Sequence, residues 1–367
     1  MNILMLSAAT GNGHISVMNS IYSYLSEEFN NIQLFPNFFE KLMPSNRIIS
    51  DFYNTLLSVS IEMATTFTNL LILEPPNRLE EIYPFWEEAL KKFFTMYNSD
   101  IIISTTPLIN KYIIRYIKNN KINVKFYVVV TDPFDPLYPG FSNIGADGYF
   151  CANETVKQIL LHDNIIEEKI FISGYPLHKK FDKPIDYNLL KVILSNKSID
   201  QNLPTILINC GAQGAMHFVS IIKCVYIQYK NRANIIVLCG KNKPLYNICQ
   251  KQYPEIISLS FVDDIQLILK ISDVCITKAG GNTFYECLYM GCPVLIDASK
   301  GLLYQEAGVV KFLKENIVGE IFYNNEDMLI KLDNMLHIKS LNEFKNNIYK
   351  LCLKNGSINI LNYFKNL

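Results

Sequence analysis

Asp273-Val-Cys-Ile-Thr-Lys278-Ala-Gly280-Gly281-Asn282-Thr283-Phe-Tyr-Glu286-Cys-Leu-Tyr-Met-Gly291-Cys-Pro293 is the stretch that decides the fold class. An apolar, β-rich run ends at Thr277, glycines follow, and a pattern of helical period begins at once. A strand that passes through a glycine loop into a helix leaves the helix's unbonded N–H groups facing the loop, and the absent side chains let a ligand approach the backbone. That arrangement suits a phosphate or diphosphate, to which a helix N-terminus contributes about 0.3–1 kcal/mol when exposed and about 2 kcal/mol when partly buried. Lys278 adds a cation. Thr283 and Glu286 stand at capping-box spacing, so the carboxylate has two readings: it returns to the helix cap, or it meets a ligand. Gly291 and Pro293 read as the stop of that helix and the entry to the next strand.

Outward from this stretch the same pattern recurs. Short apolar runs at Ile3–Ser7, Ile101–Ser104, Phe126–Thr131 and Gly148–Cys151, then at Ile206–Cys210, Ile235–Cys239, Val274–Thr277 and Val294–Asp297, alternate with segments of helical period. Strands buried on both faces and joined by helices make a parallel sheet, so the class is α/β. Two strands run into similar glycine loops, Gly11-Asn-Gly13-His14 and Gly211-Ala-Gln-Gly214, each followed by a helical pattern. The chain therefore reads as two open α/β domains in tandem, divided near Gly174–Asn202, with the ligand expected in the cleft between them. The tail from Leu341 reads as one helix or two, with Phe344, Ile348, Leu351 and Cys352 on an apolar face and a course that returns toward the first domain.

Composition limits the partners. The 367 residues are 49% hydrophobic and 19% charged, and 34 basic side chains balance 34 acidic ones, which removes the broad positive field of a nucleic-acid binder. Residues 1–175 hold 12 basic against 18 acidic side chains and residues 176–367 hold 22 against 16, so an anion is better placed on the second half. Nine scattered cysteines without a C-x-x-C pair read as buried thiols in a reducing compartment, neither a disulfide framework nor a zinc site. The uncharged first 26 residues lack a basic n-region, so export is not expected, and no run approaches the roughly 20 apolar residues of a membrane span.

Other motifs keep open readings on their own. Gly13-His14 marks either a plain turn or a histidine at a helix start, kept neutral by the helix's positive end. Gly211 and Gly214 shape a turn or hold phosphate or sugar. Gln305-Glu306 is a solvated helix start or an amide and carboxylate suited to sugar hydroxyls. Asp132 follows a strand end, where catalytic groups collect, or closes an Asx-turn. Residues 52–73 read first as a buried helix pair and second as a surface that dips into lipid.

Taken together, Ser7-Ala-Ala-Thr-Gly-Asn-Gly-His14, Val129-Val-Thr-Asp132, Tyr149-Phe-Cys-Ala-Asn153, Gly174-Tyr-Pro176, Phe261-Val-Asp263, Ile276-Thr-Lys-Ala-Gly-Gly-Asn-Thr-Phe-Tyr-Glu286 and Gln305-Glu306 resemble the monogalactosyldiacylglycerol synthase and processive diacylglycerol glucosyltransferase family, relatives of MurG. The resemblance implies a GT-B fold, with an acceptor domain over 1–175, a nucleotide-sugar domain over 176–340 and a helical tail over 341–367. It implies transfer of a hexose from a UDP-sugar to a lipid, diacylglycerol foremost, with inversion and without a bound metal or other cofactor. By position, Gly280, Gly281 and Thr283 would meet the diphosphate, Glu286 the ribose, Phe261 and Val262 the base, and Gln305 with Glu306 the sugar. Gly13, Gly211, Gly214, Lys278 and Asn282 complete the expected donor site, while His14 is the expected general base and Asp132 the second choice. A polyprenyl-linked acceptor and a non-catalytic nucleotide-sugar sensor are the alternatives. The expected location is the cytoplasmic face of the membrane, as a peripheral protein. Two departures stand out: Asp132 is followed by Pro-Phe-Asp-Pro in place of a histidine and tryptophan, and the glycine run at Gly211–Gly214 is reduced.

Overall fold

Twelve short strands organise the computed structural model, which describes residues 1–73, 80, 83–194 and 199–367. In chain order they are β1 (Asn2–Leu6), β2 (Asn31–Phe35), β3 (Ile101–Ser104), β4 (Lys125–Val129), β5 (Gly148–Cys151), β6 (Ile170–Ile172), β7 (Thr205–Asn209), β8 (Asn234–Leu238), β9 (Ile257–Leu259), β10 (Val274–Lys278), β11 (Val294–Asp297) and β12 (Gly319–Phe322). They form two parallel six-stranded sheets ordered β2-β1-β3-β4-β5-β6 and β12-β11-β10-β7-β8-β9. The eight strands expected from apolar runs are the inner ones. The four others, β2, β6, β9 and β12, are the sheet edges.

In each sheet the strand order reverses beside the first strand of its half, β1 or β7, so the loops after β1 and after β7 and β10 open at the carboxyl edge. The helices Gly13–Leu25 and Gly281–Tyr289 begin there and face each other across the cleft. Between the sheets lie the turn Lys179–Asp182 and the helix Tyr187–Ile193. Of the polar run at the expected boundary, residues 195–198 lie outside the described residues.

The tail departs from its expected outline. Its first helix runs Ile338–Lys350, starting before Leu341, and buries Leu341, Phe344 and Ile348. Cys352 is exposed at φ +46° in the turn beyond it, so it belongs to no apolar face. The last helix, Gly356–Lys365, crosses to the first sheet, where Phe364 packs edge-on against Tyr127 at 5.0 Å and Tyr363 against Phe150 at 5.1 Å. Gly356 allows the crossing, because a Cβ there would lie 2.1 Å from the Gly174 carbonyl oxygen.

A second crossing runs from the first half into the second. Phe134, in the loop after β4, stacks on Phe312 at 4.6 Å and on Tyr285 at 5.8 Å, with Phe284 edge-on at 6.0 Å. Gly308, in the helix Ala307–Asn316, lets that loop approach: a Cβ on it would lie 2.3 Å from the Asp135 carbonyl oxygen. Residues 52–73 fall in the helices Pro44–Val59 and Ile61–Leu73, packed on each other but not buried as a pair. Ile48, Phe52, Val59, Met63 and Leu70 on their outer side are 50–73% exposed. Among the described residues no helix is long and apolar enough to cross a membrane.

Candidate active site

The cleft between the sheets encloses about 460 Å³ and is lined by residues of both halves. Its second-half wall is the junction of β10 with the helix Gly281–Tyr289. Gly280 is the residue before the helix, and the first helical bond runs from the Phe284 N–H to the Gly280 carbonyl. The N–H groups of Gly281, Asn282 and Thr283 therefore precede the helix's own bonding and face the cleft. A Cβ on Gly280 would meet no protein atom within 4 Å and would project into open cleft, whereas one on Gly281 would lie 3.0 Å from the Pro133 ring. The paired glycines thus do different work: Gly280 leaves room for a ligand, and Gly281 leaves room for the other half of the protein.

Thr283 lies inside the first turn and caps nothing, which overturns the capping-box reading of Glu286. No hydrogen bond from a described residue reaches the Glu286 carboxylate, which lines the cleft. Burial raises its pKa to about 7, partly offset by the Lys180 ammonium. Two acceptor oxygens thus stand ready for hydroxyl donors.

Lys278, at the end of β10, stands beside Asp297 in register on β11, and its Cε lies 3.4 Å from where a Gly211 Cβ would sit. Burial lowers the pKa of its ammonium, while Glu306 and Asp297 favour the charged form. Gly214 is the exception among the expected donor residues. It lies outside the cleft, at φ +73°, and a Cβ there would fall 2.0 Å from the Cys239 carbonyl oxygen, so it serves the turn alone. Gly211 (φ +80°), Phe261 and Val262 do line the cleft, and the Phe261 ring is exposed with the Lys241 ammonium 5.5 Å from its centre.

Gln305 and Glu306 share a turn but not a role. The Glu306 carboxylate accepts from the Leu303 N–H at 2.9 Å, so it braces its own turn, while the buried Gln305 Oε1 has no hydrogen-bond partner among the described residues. A buried amide oxygen left unpaired costs about 1–3 kcal/mol, which a ligand donor in the cleft would recover.

The first-half wall carries His14 and Asp132. Gly11 holds φ +66° and its N–H is bonded to Asn54 Oδ1 at 2.8 Å, so the loop turns sharply into the helix that bears His14. His14 Nδ1 lies 2.8 Å from Thr131 Oγ1. Loss of water lowers its pKa to about 4, only partly countered by a hydrogen bond to the Thr105 backbone, so the ring is neutral at pH 7. In the tautomer that carries its proton on Nδ1, donated to Thr131, Nε2 presents a lone pair. Asp132 Oδ2 accepts from the Tyr138 N–H at 2.7 Å, six residues on, which replaces the Asx-turn reading. Burial raises its pKa to about 6, against the lowering effect of that bond.

The Asn282 side chain departs from its expected part as a donor ligand, while its backbone N–H stays on the cleft wall. Its Oδ1 accepts from the Tyr175 hydroxyl and its Nδ2 donates to the Gly13 carbonyl at 3.1 Å, so both ends of the amide are engaged by the first half. Gly13 lines the cleft opposite. Tyr53, Thr131, Lys180 and Tyr175 join the cleft without any expected role. Thr131 and Tyr175 left a trace in the sequence, inside the Val129–Asp132 and Gly174–Pro176 motifs.

Residues 14–177 match the family described as monogalactosyldiacylglycerol (MGDG) synthase, and residues 205–306 match the glycosyltransferase family 28 C-terminal domain. The processive diacylglycerol beta-glucosyltransferase of Bacillus licheniformis is 26% identical over 98% of this chain and 93% of its own length. Among solved structures, MurG of Acinetobacter baumannii superposes with a TM-score of 0.64 at 13% identity, covering 100% of this chain and 99% of its own. The UDP-GlcNAc 2-epimerase of Neisseria meningitidis, solved with UDP-GlcNAc, gives 0.59 at 13% identity, covering 97% and 96%. Those two likenesses establish the fold, which transferases and epimerases share.

If the Glu286 carboxylate must be ionised to accept two hydroxyls, UDP binding tightens as pH rises through about 7. Kd measured by calorimetry should fall about tenfold more between pH 6 and 8 than in Glu286→Gln, which retains only the titration of UDP itself. Equal slopes in the two proteins would remove Glu286 from the site.

Proposed function

We propose that this chain, which belongs to the MGDG synthase group of glycosyltransferases, moves a hexose from a UDP-sugar to the hydroxyl of diacylglycerol with inversion at the anomeric carbon. The observation that carries the reading is the pairing of three N–H groups at Gly281–Thr283 that have no intrahelical partner with a neutral histidine on the facing wall of one cleft. The diphosphate rests on those N–H groups with Lys278 beside it, the uracil on Phe261 and Val262, and the ribose diol on Glu286. Gln305 Oε1 accepts from a sugar hydroxyl, and the Glu306 carboxylate keeps that turn in place.

The acceptor oxygen attacks the anomeric carbon from the side opposite UDP, the bond from that carbon to the diphosphate oxygen breaks, and the acceptor proton passes to His14 Nε2. Charge grows on the departing diphosphate and is met by N–H groups and an ammonium already in place, the most effective form of electrostatic stabilisation. The same dianion raises the proton affinity of His14 above its value in the empty cleft, and Asp132, ionised at neutral pH, favours the imidazolium that forms. The UDP-sugar supplies the reactive bond, and the reading assigns no step to a further cofactor.

The lipid reaches this centre along the helices Pro44–Val59 and Ile61–Leu73. Ile49, Tyr53, Leu57 and Leu71 line the cleft, while Ile48, Phe52, Val59, Met63 and Leu70 stand exposed on the outer side of the same two helices. An apolar surface continuous with an apolar limb of the cleft suits a protein that rests on the membrane and draws its acceptor from it. The cytoplasmic leaflet, where UDP-sugars are available, is the proposed location.

Mass spectrometry of lipids formed from a panel of UDP-hexoses and diacylglycerol vesicles should show a hexosyl product. His14→Ala should lower kcat about 10²–10⁴-fold, and an unchanged rate would exclude it as the base. Replacing Phe52 and Leu70 together by Asp should abolish cosedimentation with those vesicles and leave UDP binding intact. Undiminished cosedimentation would place the membrane contact elsewhere.

A further inference from the structure

We propose that Asn282 is a positioning residue that sets the distance between the leaving diphosphate and the proton acceptor, working through Gly13 on one side and Tyr175 on the other. The proposal rests on the transferase reading above and adds to it the element that couples the two halves of the reaction centre.

Asn282 is the second residue of the helix Gly281–Tyr289, between the two other residues whose backbone N–H groups face the cleft. Its Nδ2 donates to the carbonyl of Gly13, the residue before His14, at 3.1 Å. A carbonyl accepts only from a donor, so the amide's NH₂ group must point to Gly13 and its oxygen to the Tyr175 hydroxyl. Tyr175 is itself fixed. Its ring stacks on Tyr285 at 4.6 Å and 15°. Its hydroxyl also lies 3.4 Å from the carbonyl oxygen of Thr131, the residue whose side chain holds His14 Nδ1.

One amide thus ties together the start of the helix that faces the diphosphate and the start of the helix that carries His14. Neighbouring contacts stiffen the connection. The Pro133 ring sits against Gly281, and Asn153 Nδ2 donates to the Pro133 carbonyl at 2.7 Å and to the Tyr285 hydroxyl at 3.3 Å. Asn153 and Tyr175 belong to the Tyr149–Asn153 and Gly174–Pro176 motifs, whose work the donor site does not explain. Here they hold the Thr131–Pro133 loop against the second half. With both ends of its side chain engaged by protein, Asn282 contributes geometry to the reaction, and a displacement of about 1 Å between reacting groups costs on the order of 10²-fold in rate.

The test compares full-length wild type, Asn282→Ala and Tyr175→Phe in transfer from UDP-hexose to diacylglycerol and in UDP binding by calorimetry. Tyr175→Phe keeps the ring stack and removes only the hydroxyl that orients the amide, so it serves should Asn282→Ala fold poorly. The expected result is a fall in kcat of about tenfold or more in Asn282→Ala and a smaller fall in Tyr175→Phe. The Kd for UDP should stay within about threefold of wild type in both. Unchanged kcat in both variants would overturn the proposal, as would a rise in Kd with kcat retained, which would make the Asn282 side chain a donor ligand after all. A wild-type protein that binds UDP and transfers nothing would instead overturn the transferase reading, and this proposal with it.

Discussion

The first turn of an α-helix leaves backbone N–H groups that the helix cannot satisfy, and here the turn at Gly281–Thr283 is aimed at the seam between two sheets. Water, protein or a ligand must answer those groups. The side chains nearby do not answer them: the Asn282 amide is engaged by Gly13 and Tyr175, and among the described residues no side chain caps the helix. Lys278 flanks the same point with a positive charge, and Gly280 withholds a side chain from it. Such a point suits an anion, and Glu286, Gln305 and Phe261, which line the same cleft, suit an anion that carries hydroxyls and a flat ring.

A site split between two domains works only if their separation is controlled. Three contacts exercise that control at different depths. The Asn282 amide joins the helix starts, Phe134 fills an aromatic recess formed by Phe284, Tyr285 and Phe312, and the Gly356–Lys365 helix returns to the first sheet. Glycines at 281, 308 and 356 stand where the halves approach too closely for any Cβ to fit without displacement. The Pro-Phe-Asp-Pro sequence after Asp132 places Phe134 in the second of these contacts.

The inner strands were legible because burial on both faces makes them continuous apolar runs, as in Ile101–Ser104 and Val294–Asp297. The edge strands were not. β2, Asn-Ile-Gln-Leu-Phe, is exposed or half-buried along its length, and β6 and β9 have three residues each. Gly280, announced by its glycine loop, could be located from local pattern, whereas the pattern at Gly13-His14 left a plain turn open and the resemblance placed His14 in the cleft. Tyr53 and Lys180 could not, since a tyrosine on an amphipathic helix and a lysine in a turn carry no sign of the partner that folding brings opposite them. Gly214 and Asn282 show the converse. A glycine or an amide inside a ligand-binding motif can be serving the chain, and only the position of Cys239, Gly13 and Tyr175 in space reveals it.

The most direct measurement is a crystal structure of the protein with UDP. The account predicts the diphosphate within about 3 Å of the N–H groups of Gly281, Asn282 and Thr283, the ribose on Glu286 and the uracil against Phe261. Diphosphate bound away from that helix start, or a cleft that stays empty at saturating UDP, would contradict it.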